Sequence, residues 1–138
     1  MWDAMADKLL DDDEVMFRQI HPNSLQNGEP ASDRFRPYAS DAHLMSVDRS
    51  ALISAEQSHS LYTSTGRKSA AVFGVSVREF GDEAIDCLSD PLEKTELEPA
   101  NPSHALADYT KHSASQQKLI AKRLQRLAVN RGCLFSFS

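Results

Sequence analysis

The sequence predicts an α+β fold: one small domain in which a small mixed or antiparallel sheet packs against two or three helices. Three observations lead there. Val72, Phe73, Val75 and Val77 form a β-branched and aromatic run characteristic of a buried strand. Residues 113–129 place Leu119, Ile120, Leu124, Leu127 and Ala128 on one side and Lys118, Lys122, Arg123 and Arg126 largely on the other, an amphipathic helix. The remaining apolar segments are short and separated by unlike elements, which suits α+β better than a repeating βαβ unit. With 138 residues the chain has the size of a single domain and would bury roughly two thirds of its unfolded surface.

The elements follow in order. Trp2, Met5, Ala6, Leu9 and Leu10 make a helical stripe over residues 2–10, although the acidic run from Asp11 to Glu14 then sits at the unfavourable end of the helix dipole. A strand is expected over 15–20. Residues 21–42 read as one long polar loop, richest in Pro, Asn, Ser and Gly over 21–34; loops of that length are commonly functional or disordered. A brief extended segment covers 43–47, with Asp48, Arg49 and Ser50 turning out of it. Ser54 and Gln57 have capping-box spacing and open a helix over 55–62, with Gly66 as its stop. A strand is expected over 70–80, where Gly74 marks a bulge or the close approach of another group. Further strands are expected at 84–88 and 104–109, around an acidic, Pro-containing loop at 89–103. Asn130 and Gly132 end the last helix, and residues 133–135 add a closing strand.

Composition excludes several classes. Hydrophobic residues are 41% and charged residues 25% of the chain, which rules against disordered and fibrous classes. The net charge of -5 argues against nucleic acid as a partner, leaving the basic helix with Lys118, Lys122, Arg123 and Arg126 as the one candidate surface. Cys87 and Cys133 lack CxxC spacing and a neighbouring histidine, so no metal site and no cofactor is expected; whether the two are bonded stays open. No basic start precedes a long apolar run, and no segment approaches bilayer length, so a cytoplasmic location with no membrane association is expected.

Chemistry concentrates in proline-punctuated clusters. His21 beside Pro22 and His104 after Asn101 and Pro102 are the candidate catalytic residues, because a neutral histidine moves protons near neutral pH. Arg36 and Arg49 are candidate anion receptors, since a guanidinium fork matches carboxylate or phosphate. Ser46, Asp48, Asp90 and Asn101 are further candidate ligand contacts, with Asp90 placed to orient a histidine or to cap the turn at Pro91. Residues 62–66 form a hydroxyl-rich cluster followed by Arg67 and Lys68, without the GxxxxGK[ST] phosphate-loop pattern. GxSxG, HExxH and GxGxxG do not occur.

The series His21-Pro22, Phe35-Arg36-Pro37, Leu44-Met45-Ser46-Val47-Asp48-Arg49, Asp90-Pro91-Leu92 and Asn101-Pro102-Ser103-His104-Ala105 resembles a recurrent pattern in a family of small, uncharacterised bacterial proteins, over residues 15–108. The resemblance brings no activity with it. It implies a bacterial, single-domain setting in which the clusters lie around one surface or cleft. Two functional expectations follow. The first is a non-catalytic accessory or interaction protein that binds a protein partner. The second is a small enzyme or binding domain acting on a nucleotide or other phosphate-bearing ligand through arginine and histidine, which requires those side chains to converge on one pocket.

Overall fold

The computed structural model describes residues 7–136. Eight strands and three helices follow one another: β1 Val15–Ile20, β2 Leu25–Gln26, β3 Glu29–Pro30, β4 Leu44–Arg49, α1 Ala55–Thr63, β5 Ala71–Ser76, α2 Val77–Asp82, β6 Asp86–Ser89, β7 His104–Asp108, α3 Ala114–Arg131 and β8 Phe135–Ser136. Six of the strands form one sheet in the order β6-β7-β4-β1-β5-β8, with every pairing antiparallel. The protein is thus a single small α+β domain.

Strand alternation sorts the side chains onto two faces. Met16 lies opposite Val75, and Val47 opposite Ala105; with Ile20, Met45, Phe73 and Ala107 they form the core covered by Ile120, Ala121, Leu124 and Ala128 of α3. Phe17, Gln19, Val72, Ser46, Asp48 and His104 point to the other face, where α1 packs against β1 and β5. The ladders differ in length. β1 and β5 pair along all six residues, whereas β1 and β4 pair only at Met16–Arg49 and Phe17–Asp48 before diverging.

Three helices begin with reciprocal capping boxes: Ser54 with Gln57, Ser76 with Glu79, and Ser113 with Gln116. The second corrects the expected strand over 70–80. Ser76 accepts from the Glu79 amide while Glu79 Oε1 accepts from the Ser76 amide at 2.8 Å, so the chain leaves the sheet and turns into α2. Gly74 sits inside the regular ladder without a bulge. A Cβ there would meet Val15 Cγ1 at 2.4 Å and Leu134 Cδ1 at 2.8 Å, so glycine answers a close approach.

Other expectations also shift. Of the helix expected over 2–10, residues 2–6 lie outside the described residues. Residues 7–10 are not helical: Lys8 bridges Leu88, and the Leu9 amide donates to the Cys87 carbonyl, so this segment follows the outer edge of β6. Asp48 and Arg49, expected to turn, remain in β4 because β7 pairs through Asp48 and β1 through Arg49. The stretch 21–42 holds three 3-10 turns and the β2–β3 hairpin. Asn27 and Gly28 both have positive φ, 54° and 79°, as a two-residue hairpin turn demands. Phe35 from this stretch is fully buried, and its carbonyl accepts from the Tyr109 hydroxyl. Cys87 is buried and Cys133 exposed, both as free thiols; burial pushes the Cys87 thiol up to about 12 and keeps it protonated. No helix among the described residues is long and apolar enough to cross a membrane.

Candidate functional site

A cleft of about 290 Å³ opens on the sheet face opposite α3. Its floor is the row Phe17, Gln19, Ser46, Asp48 and His104. One wall is the C-terminal end of α1 with Leu61, Tyr62, Thr65 and Arg67. Another is the 90–103 loop with Leu92, Glu98, Pro99 and Asn101, and Tyr38 and Asp41 close a third side. The loop is shaped by a Leu92–Asn101 bridge and tied to the α1 wall by an ion pair between Arg67 and Glu98.

A directed chain of hydrogen bonds sets the floor. Ser69 Oγ donates to Gln19 Oε1 at 2.8 Å, Gln19 Nε2 to Ser58 Oγ at 2.9 Å, and Ser58 Oγ to Asp48 Oδ2 at 2.6 Å. From the opposite wall, Asn101 Nδ2 donates to Asp48 Oδ1 at 2.9 Å, while Asn101 Oδ1 accepts from the Ser103 amide and hydroxyl. Each member has its role fixed by its neighbours, so Asp48 is held as an acceptor that joins α1 to the loop.

His104 lies directly across the ladder from Asp48. Its Nδ1 contacts the Asp90 carbonyl at 2.9 Å and Asp90 Oδ2 at 3.0 Å. Both partners only accept, so Nδ1 carries the hydrogen in the neutral ring and Nε2 carries the lone pair. Among the described residues Nε2 has no protein partner, and it is not sealed from solvent.

Two arginines line the cleft: Arg67 is paired with Glu98, and Arg18 is not in an ion pair among the described residues. Arg18 alternates with Met16 and Ile20, yet the early divergence of β1 from β4 leaves a gap that its guanidinium fills. Nη1 donates to the Ser46 carbonyl at 3.0 Å and Nε to the Arg34 carbonyl at 2.7 Å, and the group lies 5.7 Å from the Tyr38 ring centroid. None of the ion pairs among the described residues includes Arg18. Burial pulls its pKa below the ordinary arginine value; Tyr38, Tyr62 and Tyr109 oppose that, Arg34 adds to it, and no carboxylate contributes. Among the described residues Nη2 has no protein acceptor.

Of the residues singled out in the sequence, Ser46, Asp48, Asn101 and His104 line this cleft and Asp90 holds His104. Tyr62, Thr65 and Arg67 of the hydroxyl-rich cluster line it as well. The others lie elsewhere. His21 caps the Pro22–Ser24 turn, its Nδ1 accepting from the Asn23 amide at 3.0 Å. Arg36 is half-buried outside the cleft. Arg49 is bound bidentately by buried Glu14, at 3.0 and 3.1 Å. Arg123 of the basic helix pairs with Glu83 through two bonds of 2.7 Å. Arg18, Gln19, Tyr38 and Glu98 escaped the sequence reading. A signal for Arg18 existed, as a charged residue at the centre of the Met16, Arg18, Ile20 apolar alternation.

Among the described residues no group of three or more His, Cys, Asp or Glu side chains gathers as a metal site would need. No family model, no curated protein and no solved structure matches this chain.

Proposed function

We propose that the cleft binds a small phosphate-bearing ligand of the nucleotide class, with its anionic group seated at Arg18. The observation that carries this reading is a half-buried arginine, Arg18, without a carboxylate partner among the described residues. A desolvated cation is costly unless an opposite charge accompanies it, and its fixed fork is suited to a phosphate. Arg18 and Ser46 both line the cleft, and among the described residues Arg18 Nη2 has no protein acceptor. Tyr38 and Tyr62 offer aromatic faces, and Asp48 and Asn101 offer polar contacts to the remainder of the ligand. Calorimetric titration with inorganic pyrophosphate and with a set of nucleoside monophosphates tests the reading. Saturable one-to-one binding that weakens at least about tenfold in Arg18→Lys, which loses the fork, is expected. Folded wild-type protein that takes up none of these anions at millimolar concentration refutes it.

A second reading, a non-catalytic accessory protein that docks a protein partner on α3, is supported by Leu119, which is 56% exposed between the exposed Lys118 and Lys122. Under it, Leu119→Glu abolishes partner binding while anion binding persists; a Leu119→Glu protein that keeps its partner rules out this surface.

A further inference from the structure

We infer that the cleft is hydrolytic, with His104 as general base and Asp90 as its positioning residue, and that the substrate is a phosphodiester. The inference rests on the anion-binding reading of the same cleft and adds chemistry to it.

The first support is the set tautomer. Because Asp90 offers Nδ1 only acceptors, the neutral ring presents an unprotonated Nε2, and that nitrogen has no competing protein donor among the described residues. A base must be within hydrogen-bond reach of the proton it takes, with its other nitrogen oriented by a third group. The second support is register. His104 faces Asp48, and Ser46 faces Leu106, so Ser46 and His104 are diagonal neighbours on one face, at a separation of about 7–8 Å. Arg18 is anchored on Ser46. Arg18 and His104 line the same cleft, so a phosphoryl group held by Arg18 and a water molecule held by Nε2 would share it. The third is the balance of charge. Asp48, directly across from His104, is held as an acceptor by Ser58 and Asn101 and faces the imidazolium formed when Nε2 takes a proton.

The step balances without a cofactor. Water gives a proton to Nε2 as its oxygen bonds to phosphorus. The phosphorus–oxygen bond to one ester group breaks, its electron pair leaves with that oxygen, and the leaving oxygen takes the proton back from Nε2. Diester and water yield monoester and alcohol.

The test uses the full chain with bis(p-nitrophenyl) phosphate as substrate and inorganic phosphate as binding probe. Wild-type protein is expected to release p-nitrophenol with a rate that falls on acidification through one titrating group. His104→Gln is expected to lose roughly 100-fold or more in kcat while its affinity for inorganic phosphate is unchanged. Asp90→Asn is expected to lower kcat and displace the pH limb, which a purely structural role would leave in place. Should His104→Gln fail to fold, the wild-type pH profile and Asp90→Asn decide. Wild-type protein that binds phosphate but releases no p-nitrophenol, or a His104→Gln variant as active as wild type, overturns the inference and leaves the binding reading standing. Absence of phosphate binding in the wild type overturns both.

Discussion

Arg49→Ala separates a structural arginine from a ligand-binding one. Glu14 has a side chain only 3% exposed, and its carboxylate receives Arg49 Nε at 3.0 Å, Arg49 Nη2 at 3.1 Å and the Ala51 amide at 3.2 Å. Truncating Arg49 leaves the carboxylate with the amide alone. Removing one partner of a buried pair costs about 3–5 kcal/mol, because the other charge stays behind uncompensated. Arg49 is itself 21% exposed, so water enters the space it vacates and places the cost near the lower end, about 3 kcal/mol. With a urea slope of about 1.5 kcal/mol/M for a domain of this size, the unfolding midpoint falls by about 2 M. The assay is urea unfolding followed by circular dichroism, alongside phosphate titration below the transition. Glu14→Gln/Arg49→Ala, with no buried charge left, is expected to be more stable than Arg49→Ala alone. A loss below about 1 kcal/mol, the level of an exposed pair, refutes the argument. Loss of phosphate binding with stability retained makes Arg49 an anion receptor.

Gly74→Ala is expected to destabilise by about 1–3 kcal/mol, read as a lower urea midpoint. Leu134 can rotate away from the new Cβ, but Val15, β-branched and 2.4 Å from it, has little freedom to do so; an unchanged midpoint counts against the close approach. Glu79 tests the acid limb: burial raises its pKa, but hydrogen bonds from Arg131 and Ser76 outweigh that and hold it below the ordinary value of 4.5. Its contribution to stability is therefore present above pH 4.5 and is lost as pH falls through the lower folded value. Glu79→Gln is expected to lose less stability than wild type on acidification below that point, and parallel losses in the two proteins contradict it. Glu98→Gln frees Arg67 from its ion pair across the mouth of the cleft and is expected to tighten pyrophosphate binding in calorimetry; weaker binding shows that Glu98 holds the wall in place rather than competing for Arg67.

Much of the fold is legible in the chain. The β1 segment, the capped start of α1 and the Ile120, Leu124 and Ala128 line of α3 follow from local pattern, because each buries one face against a neighbour, whereas Leu119 and Leu127 of the expected stripe are exposed and the closing strand forms at 135–136 rather than 133–135. Two misplaced features were also written locally. Ser76-Val77-Arg78-Glu79 is a capping box inside a run whose β-branched residues suggested a continuing strand, and Asn27-Gly28 is a two-residue hairpin turn within a polar stretch. There the local rule competed with a stronger compositional impression. In the candidate site, Asp48, Asp90, Asn101 and His104 stand out as polar residues at restricted backbone positions. Arg18 and Glu98 do not, since their places depend on where β1 leaves β4 and where the 90–103 loop folds back, which are long-range pairings without a local signature.

Arg18, in no ion pair among the described residues, sits where the β1–β4 ladder stops. Had β1 and β4 paired beyond Phe17–Asp48, the Ser46 carbonyl would have received a ladder hydrogen bond and Arg18 would have had no gap to enter. With the ladder stopped after two pairs, Arg18 serves as a substitute rung to Ser46 and Arg34, satisfying carbonyls that would otherwise be left open. The guanidinium brings one positive charge to the divergence, and among the described residues its Nη2 has no protein acceptor. Asp48 stands two residues along β4 with both oxygens already bonded to Ser58 and Asn101, so it is not the partner of that charge. Under the proposed reading, an anion seated at Arg18 lies between the α1 wall and the 90–103 loop that Asp48 joins.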